Sequence, residues 1–199
     1  MKNTFFRMLF ALGLMIMAGA PIAFAQSDAP KVEVGAQYTL LRFRDFDTTD
    51  SGLGGRLTFN LTDSFALEGE FNFFPEKRRN FAEPFYLDSQ RYQGLFGVKY
   101  GVRGDSAGIF GKLRPGFVHF GEGTFDPTIQ TLVPVPPTAK STEFALDIGG
   151  VFELYPSRHT MLRFDVGDTI INFGRSPVSN QPGFTSHNLQ ISAGVGLRF

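Results

Sequence analysis

The final segment of the chain, Ser186 to Phe199, sorts its residues by side with a period of two. Leu189, Ile191, Ala193, Val195, Leu197 and Phe199 fall on one face, and Asn188, Gln190, Ser192, Gly194, Gly196 and Arg198 on the other. Its length suits a tilted strand that crosses a bilayer, apolar outside and polar inside. Such a strand cannot stand alone in lipid, where unpaired N–H and C=O groups find no water. It demands a closed barrel.

Seven further segments carry the same alternation: Val32–Phe43, Gly52–Leu61, Phe65–Phe74, Arg91–Gly101, Gly108–Phe120, Thr142–Leu154 and Thr160–Thr169. Helical spacing explains none of them as well. The connections alternate in length. Thr62–Ser64, Val102–Ala107 and Tyr155–His159 are short and rich in turn formers, whereas Arg44–Ser51, Pro75–Gln90, Gly121–Ser141 and Ile170–His187 are longer. Tight inner turns and larger outer loops are the asymmetry of transmembrane barrels. The expected fold is all-β, an eight-stranded antiparallel up-and-down transmembrane β-barrel with both chain ends on the periplasmic side.

The front of the chain sets the compartment. Lys2 and Arg7 precede the apolar run Met8–Ala20, and Ala23-Phe24-Ala25 has the small-x-small form of a cleavage site. Residues 1–25 therefore read as a signal peptide cut before Gln26, and residues 26–199 as one barrel domain. The apolar run is short of the ~20 residues a spanning helix needs. The chain has no cysteine, so an exported protein of this kind cannot draw on disulfides and must be held by barrel closure.

The charges divide by face. Opposite the apolar positions stand Glu33, Arg56, Glu68, Glu70, Arg91, Lys99, Lys112, Arg114, Glu143, Asp147, Glu153, Arg163, Asp165 and Arg198. Seven of them are basic and seven acidic. A soluble ligand-carrying barrel shows the reverse arrangement, an apolar cavity inside a polar wall. Here the apolar face looks onto lipid and the charges look inward. An eight-stranded barrel is only wide enough for side chains to fill. The expectation is an internal network of paired charges in place of an open pore, since unpaired charges are costly there. Glycines at 35, 54, 97, 149, 194 and 196 are expected to relieve crowding in the narrow interior.

In these features the mature chain resembles the small eight-stranded outer-membrane β-barrel superfamily, which includes the OmpA membrane domain and OmpX-like proteins. The resemblance implies an integral protein of the cell outer membrane, exported through the periplasm. It implies that the terminal aromatic Phe199 serves as an assembly signal read by the outer-membrane assembly machinery. Unlike full OmpA-like proteins, the chain is expected to lack a periplasmic domain after Phe199.

No catalytic set emerges. His119, His159 and His187 are scattered, which does not suggest a metal site, and no cofactor or nucleic-acid motif is present. Ser186 adjoins His187, but adjacent strand residues point to opposite faces, poor geometry for a nucleophile and its base. Phe43, Phe46, Phe73, Phe74, Phe81, Phe85, Tyr86, Phe120, Phe125, Tyr155, Phe173 and Phe199 cluster near strand ends, and those next to strands are expected to form interfacial girdles. Phe81, Phe85, Phe125 and Phe184 lie deeper in loops, where the two readings are packing of the loops together or an exposed adhesive surface. The long loops hold the basic run Lys77-Arg78-Arg79 and the stiff stretch Val133–Pro137. The functional expectation is a monomeric structural or surface-interacting barrel without catalysis. It is embedded in outer-membrane lipid, with the long loops as its surface for ligands. The rival readings are a narrow porin-like channel and a lipid-modifying enzyme.

Overall fold

The computed structural model describes residues 30–44, 48–75, 79–82, 85–88, 90–121, 124–125, 140–174 and 183–199. The expected signal peptide lies outside the described residues. Eight long antiparallel strands form the wall: β1 (Val32–Phe43), β2 (Thr48–Asn60), β3 (Phe65–Phe74), β6 (Arg91–Arg103), β7 (Ala107–Phe120), β9 (Ser141–Leu154), β10 (Thr160–Phe173) and β11 (Phe184–Arg198). Each pairs with its chain neighbours, and β1 pairs with β11 over Glu33–Phe43, which closes the sheet. The backbones of Val32 and Phe199 exchange hydrogen bonds of 3.2 and 2.8 Å across the seam. Both ends of the described barrel thus lie at one rim.

The register fixes the tilt. From Val32 the cross-strand partners run through Phe59, Leu67, Val98, Leu113, Ile148, Asp168 and Leu189, and the path returns to β1 at Arg42, ten residues further on. A stagger of that size across eight strands inclines them by roughly 40°. Strands of 10 to 15 residues then span a bilayer core.

Polar side chains make the inner-rim turns tight. Thr62 Oγ1 accepts hydrogen bonds from the Ser64 and Phe65 amides at 3.3 and 3.0 Å. Ser157 Oγ does the same for His159 and Thr160 at 3.2 and 3.1 Å. Between β6 and β7 the Gly104 amide bonds the Ala107 carbonyl at 2.8 Å.

Two long connections differ from expectation. The stretches expected to be only loops contain β4 (Arg79–Ala82), β5 (Phe85–Asp88) and β8 (Thr124–Phe125), which form a separate three-stranded sheet in the order β4-β5-β8. Leu87 pairs with Phe125 and Asp88 with Thr124, so the connection after β3 is tied to the one after β7. Phe81, Phe85, Tyr86 and Leu87 supply the β-favouring residues that make this pairing intelligible. The barrel strands also run further outward than the sequence suggests: β2 starts at Thr48, β10 ends at Phe173 and β11 starts at Phe184.

The wall shows apolar groups to the outside. Leu53, Phe96, Tyr100, Val102, Ile109 and Phe117 are all exposed there. Glycine relieves crowding mostly on the inner side, with outward Gly94 beneath the Phe117 ring an exception. A Cβ at inward-facing Gly149 would meet the Val166 carbonyl oxygen at 2.1 Å and Gly167 Cα at 2.5 Å, whereas one at outward-facing Gly150 would meet nothing nearer than 4.0 Å. Gly149→Ala should therefore lower unfolding stability in detergent by about 1–3 kcal/mol, and Gly150→Ala should change it by less than about 0.5 kcal/mol. Urea titration of the two variants side by side checks the contrast.

Candidate functional site: a lumen filled in layers

The interior is stratified from the turn-bearing rim to the loop-bearing rim. At the inner rim Glu33 accepts from Arg103 Nη1 at 2.8 Å, with Arg198 Nε at 3.4 Å, and Asn60 bridges Glu33 and Arg103. The guanidinium of Arg198 lies 3.9 Å from the centre of the Tyr155 ring, a cation–π contact. The Tyr155 hydroxyl donates to Glu153 at 2.7 Å, and burial together with that carboxylate pushes its phenol up.

Above this rim sits the charged core. Glu68 is its hub: it accepts from Arg114 at 2.6 Å, from Arg163 at 2.5 and 2.7 Å, and from Thr58 at 3.2 Å. Arg114 also bonds Glu70 at 2.5 Å and Asp147 at 2.6 and 2.8 Å, so one planar fork serves three carboxylates from two other strands, β3 and β9. Arg163 holds Asp165 through two bonds of 2.8 Å. Lys99 reaches Glu153 at 2.5 Å and Glu33 at 3.6 Å, and Lys112 sits between Asp147 and Asp165 at 3.1 and 3.3 Å. Arg56 donates to Gln37 at 2.8 Å and lies 3.9 Å from Asp165. These side chains are buried.

An amide layer follows. Gln37 donates to Asn72 at 3.0 Å, Asn72 to Glu70 at 2.7 Å and Gln93 at 2.8 Å, and Gln93 to Gln190 at 2.9 Å. Thr39 and Ser192 meet at 3.0 Å. The outer end is closed by apolar side chains: Leu41, Phe43, Phe74, Leu95, Val118, Ala145 and Ile171 pack together inside the wall, with Phe120 and Phe173 against them. Arg91 lies over the Phe43 and Phe120 rings and is ion-paired to Asp50.

The structure brings twelve of the fourteen inward charges named from the sequence into one connected interior below the apolar layer, counting Arg198 at the inner rim. Arg91 stands apart from them in the apolar layer. Glu143 is partly exposed at the outer rim, where it accepts from the Gly174 amide at 3.0 Å. Sequence reasoning missed Asp50 and Arg103, although both keep the inward phase of their strands, Asp50 with Arg56 and Arg103 with Lys99.

The girdle expectation needs correction. Phe43, Phe74 and Tyr155 are buried inside the barrel, and Phe120 and Phe173 pack on the apolar layer. Each of these four phenylalanines falls on the inward phase of a strand that outlasts the polar core, so proximity to a strand end was the wrong criterion and parity the right one. Phe73 does face out and packs with Tyr92 at 5.1 Å. Phe46 lies outside the described residues, and only the backbones of Phe81, Phe85, Tyr86 and Phe125 are described.

The serine and histidine near the last strand diverge. Ser186 points inward and donates to Asn188 at 3.0 Å, while His187 points outward, with Nδ1 2.6 Å from Asp168. Among the described residues no cluster of His, Cys, Asp or Glu is arranged to hold a metal ion. Phe199 is exposed on the outer face at the rim where the chain ends meet.

The family model for the outer membrane protein beta-barrel domain matches residues 10–199. The chain belongs to that family. It is an integral outer-membrane β-barrel, with its apolar belt in lipid and its turns and loops on opposite sides. Among solved structures it is similar to the attachment invasion locus protein Ail of Yersinia pestis, at 13% identity and a TM-score of 0.53, covering 87% of this chain and 100% of that one. It is similar to Neisserial surface protein A, at 14% identity and a TM-score of 0.51 over 84% and 96% of the two chains. It is also similar to OprG of Pseudomonas aeruginosa, at 13% identity and 0.52 over 87% and 98%. At such identities the likeness speaks for the barrel fold. No curated protein matches the sequence.

The filled lumen of this outer-membrane barrel makes a sharp energetic statement. Removing Glu68 takes from the buried Arg114 and Arg163 the carboxylate they share and leaves the network with an excess of positive charge, which costs far more than the pair contributes against an apolar replacement. Glu68→Ala should lower stability by about 3–5 kcal/mol, while Glu143→Ala at the outer rim should cost less than about 1 kcal/mol. Denaturant unfolding followed by tryptophan-free probes, such as far-ultraviolet circular dichroism, reads both.

Proposed function

We propose that this protein is a closed, non-conducting and non-catalytic barrel that reinforces the envelope and presents loops at the cell surface as a monomer. One observation carries the reading. The interior is occupied by paired charges, amides and an apolar layer, so the chemistry open to the outside is that of the loop-bearing rim. Ail of Yersinia pestis has a crystal structure in complex with the heparin analogue sucrose octasulfate, a property of that protein. The comparable chemistry here is the basic run Lys77, Arg78 and Arg79 between β3 and β6. Deleting residues 76–89, which removes the basic run, should leave the barrel folded and reduce attachment of expressing cells to heparin-coated surfaces, and deleting residues 122–139, which hold no Lys or Arg, should have the smaller effect. Unchanged attachment in both deletions, together with a lipid modification that depends on Ser186 or His187, would overturn the reading in favour of an enzyme. Planar-bilayer recordings should show no stable large conductance; steady channels would favour the porin-like alternative.

Biogenesis follows from the two ends of the chain. Residues 1–25 serve as a removable signal peptide, residues 26–199 form the barrel, and Phe199 is the residue by which the assembly machinery engages β11. The exposed, lipid-side position of Phe199 supports this role, because a residue with few native contacts has little else to do for the finished barrel. Phe199→Asp should cut outer-membrane levels several-fold while a barrel refolded in detergent keeps its stability within about 1 kcal/mol of wild type. Membrane fractionation and detergent unfolding, run on the same variant, separate the two effects.

A further inference from the structure

Three neighbouring strands carry a polar side chain on their outer face at the same level, beyond which β10 returns to apolar Ile170. On β1 the outward series Val34, Tyr38, Leu40 gives way to Arg42; on β11, read toward the loops, Ile191 and Leu189 give way to His187; on β10 Phe164 and Val166 give way to Asp168. Arg42 is the cross-strand partner of Leu189, which is also the partner of Asp168. Arg44 follows one outward step beyond Arg42. These residues line a hollow of about 640 Å³ on the outside of the wall, bounded by Arg42, Arg44, Gly167, Asp168, His187 and Leu189.

The hollow has an internal brace. Asp168 accepts from the Asn188 backbone amide at 3.0 Å through one oxygen, and His187 Nδ1 lies 2.6 Å from the other. A carboxylate only accepts, so Nδ1 carries the hydrogen and the ring is held with Nε2 turned away from Asp168. The positive groups of the hollow are two arginines, whose forks match phosphate oxygens bidentately. Directly below lie the exposed apolar side chains Leu40, Leu189, Ile191 and Val166. A ligand that suits both parts is an amphiphile with an anionic head at the edge of the hydrocarbon and an acyl chain beneath it.

We propose that this hollow binds the phosphate group of a phosphorylated glycolipid in the outer leaflet, with Arg42 and Arg44 as its phosphate ligands and an acyl chain lying over Leu189 and Ile191. The membrane places that lipid against this wall, and basic residues at the membrane surface attract anionic headgroups. The site is distinct from the lumen and from the loop tips. It ties the β1–β11 seam, where the barrel closes, to its surrounding lipid.

The test uses the folded full-length barrel in detergent micelles, titrated with diphosphorylated lipid A, with its dephosphorylated form and with inorganic phosphate, and read by native mass spectrometry. The diphosphorylated lipid should bind about tenfold more tightly than the dephosphorylated one, and an R42Q/R44Q double variant should lose about that factor. His187→Gln should weaken binding less, and Lys140→Gln, an exposed cation ahead of β9, should not weaken it. Shifted migration of unboiled samples on gels establishes that each variant is folded. Should the double variant not fold, the single variants Arg42→Gln and Arg44→Gln decide. The proposal is overturned if arginine replacement leaves lipid binding unchanged or if Lys140→Gln has an equal effect. It is also overturned if inorganic phosphate binds as tightly as the lipid, which would mark an anion site with no lipid preference.

Discussion

Lipid offers the backbone no hydrogen bonds, so β1 must find β11. That one requirement organises the molecule. Closure over Glu33–Phe43 with a ten-residue stagger sets the tilt and with it the width of the lumen. A lumen that narrow has room for side chains and little else. Strand parity then sends every second residue of all eight strands into the same small space, where each charge must meet an opposite one.

The network answers that constraint with forked donors and shared acceptors. Glu68 on β3 takes both Arg114 from β7 and Arg163 from β10, which join across the barrel with no sheet pairing between those strands. Each buried charge is thus paired with groups from other strands, and its desolvation is offset only when the whole barrel has closed. The apolar layer at the outer end keeps bulk water from these pairs. A drier surrounding strengthens them and also raises the cost of leaving one unmatched. Large side chains fit because glycine stands opposite them: at Gly35 a Cβ would come within 3.1 Å of the Arg56 guanidinium.

The strands were legible because burial in lipid and burial in the lumen impose opposite chemistry on alternate residues. Val32–Phe43 and Phe65–Phe74 were read with the same bounds that the structure has. The outer ends were less legible. There the lumen turns apolar, so inward and outward residues look alike, and Phe43, Phe74, Phe120 and Phe173 read as a girdle when they close the barrel. The small sheet of β4, β5 and β8 was hidden for a different reason: its partners come from two separate connections, and no local pattern encodes a pairing at that distance. The lipid-facing hollow needed the register as well, since only pairing through Leu189 brings Arg42 and Asp168 to one site.

The most direct test of a filled lumen is thiol accessibility, and a chain without cysteine is suited to it. Ser192 faces inward in the amide layer beneath the apolar side chains, and Ser157 lies in an exposed turn. In the folded barrel a charged, water-soluble thiol reagent should modify Ser157→Cys quickly and leave Ser192→Cys unmodified until the barrel is unfolded. Rapid modification of Ser192→Cys in the folded protein would show a lumen open to water and contradict the account.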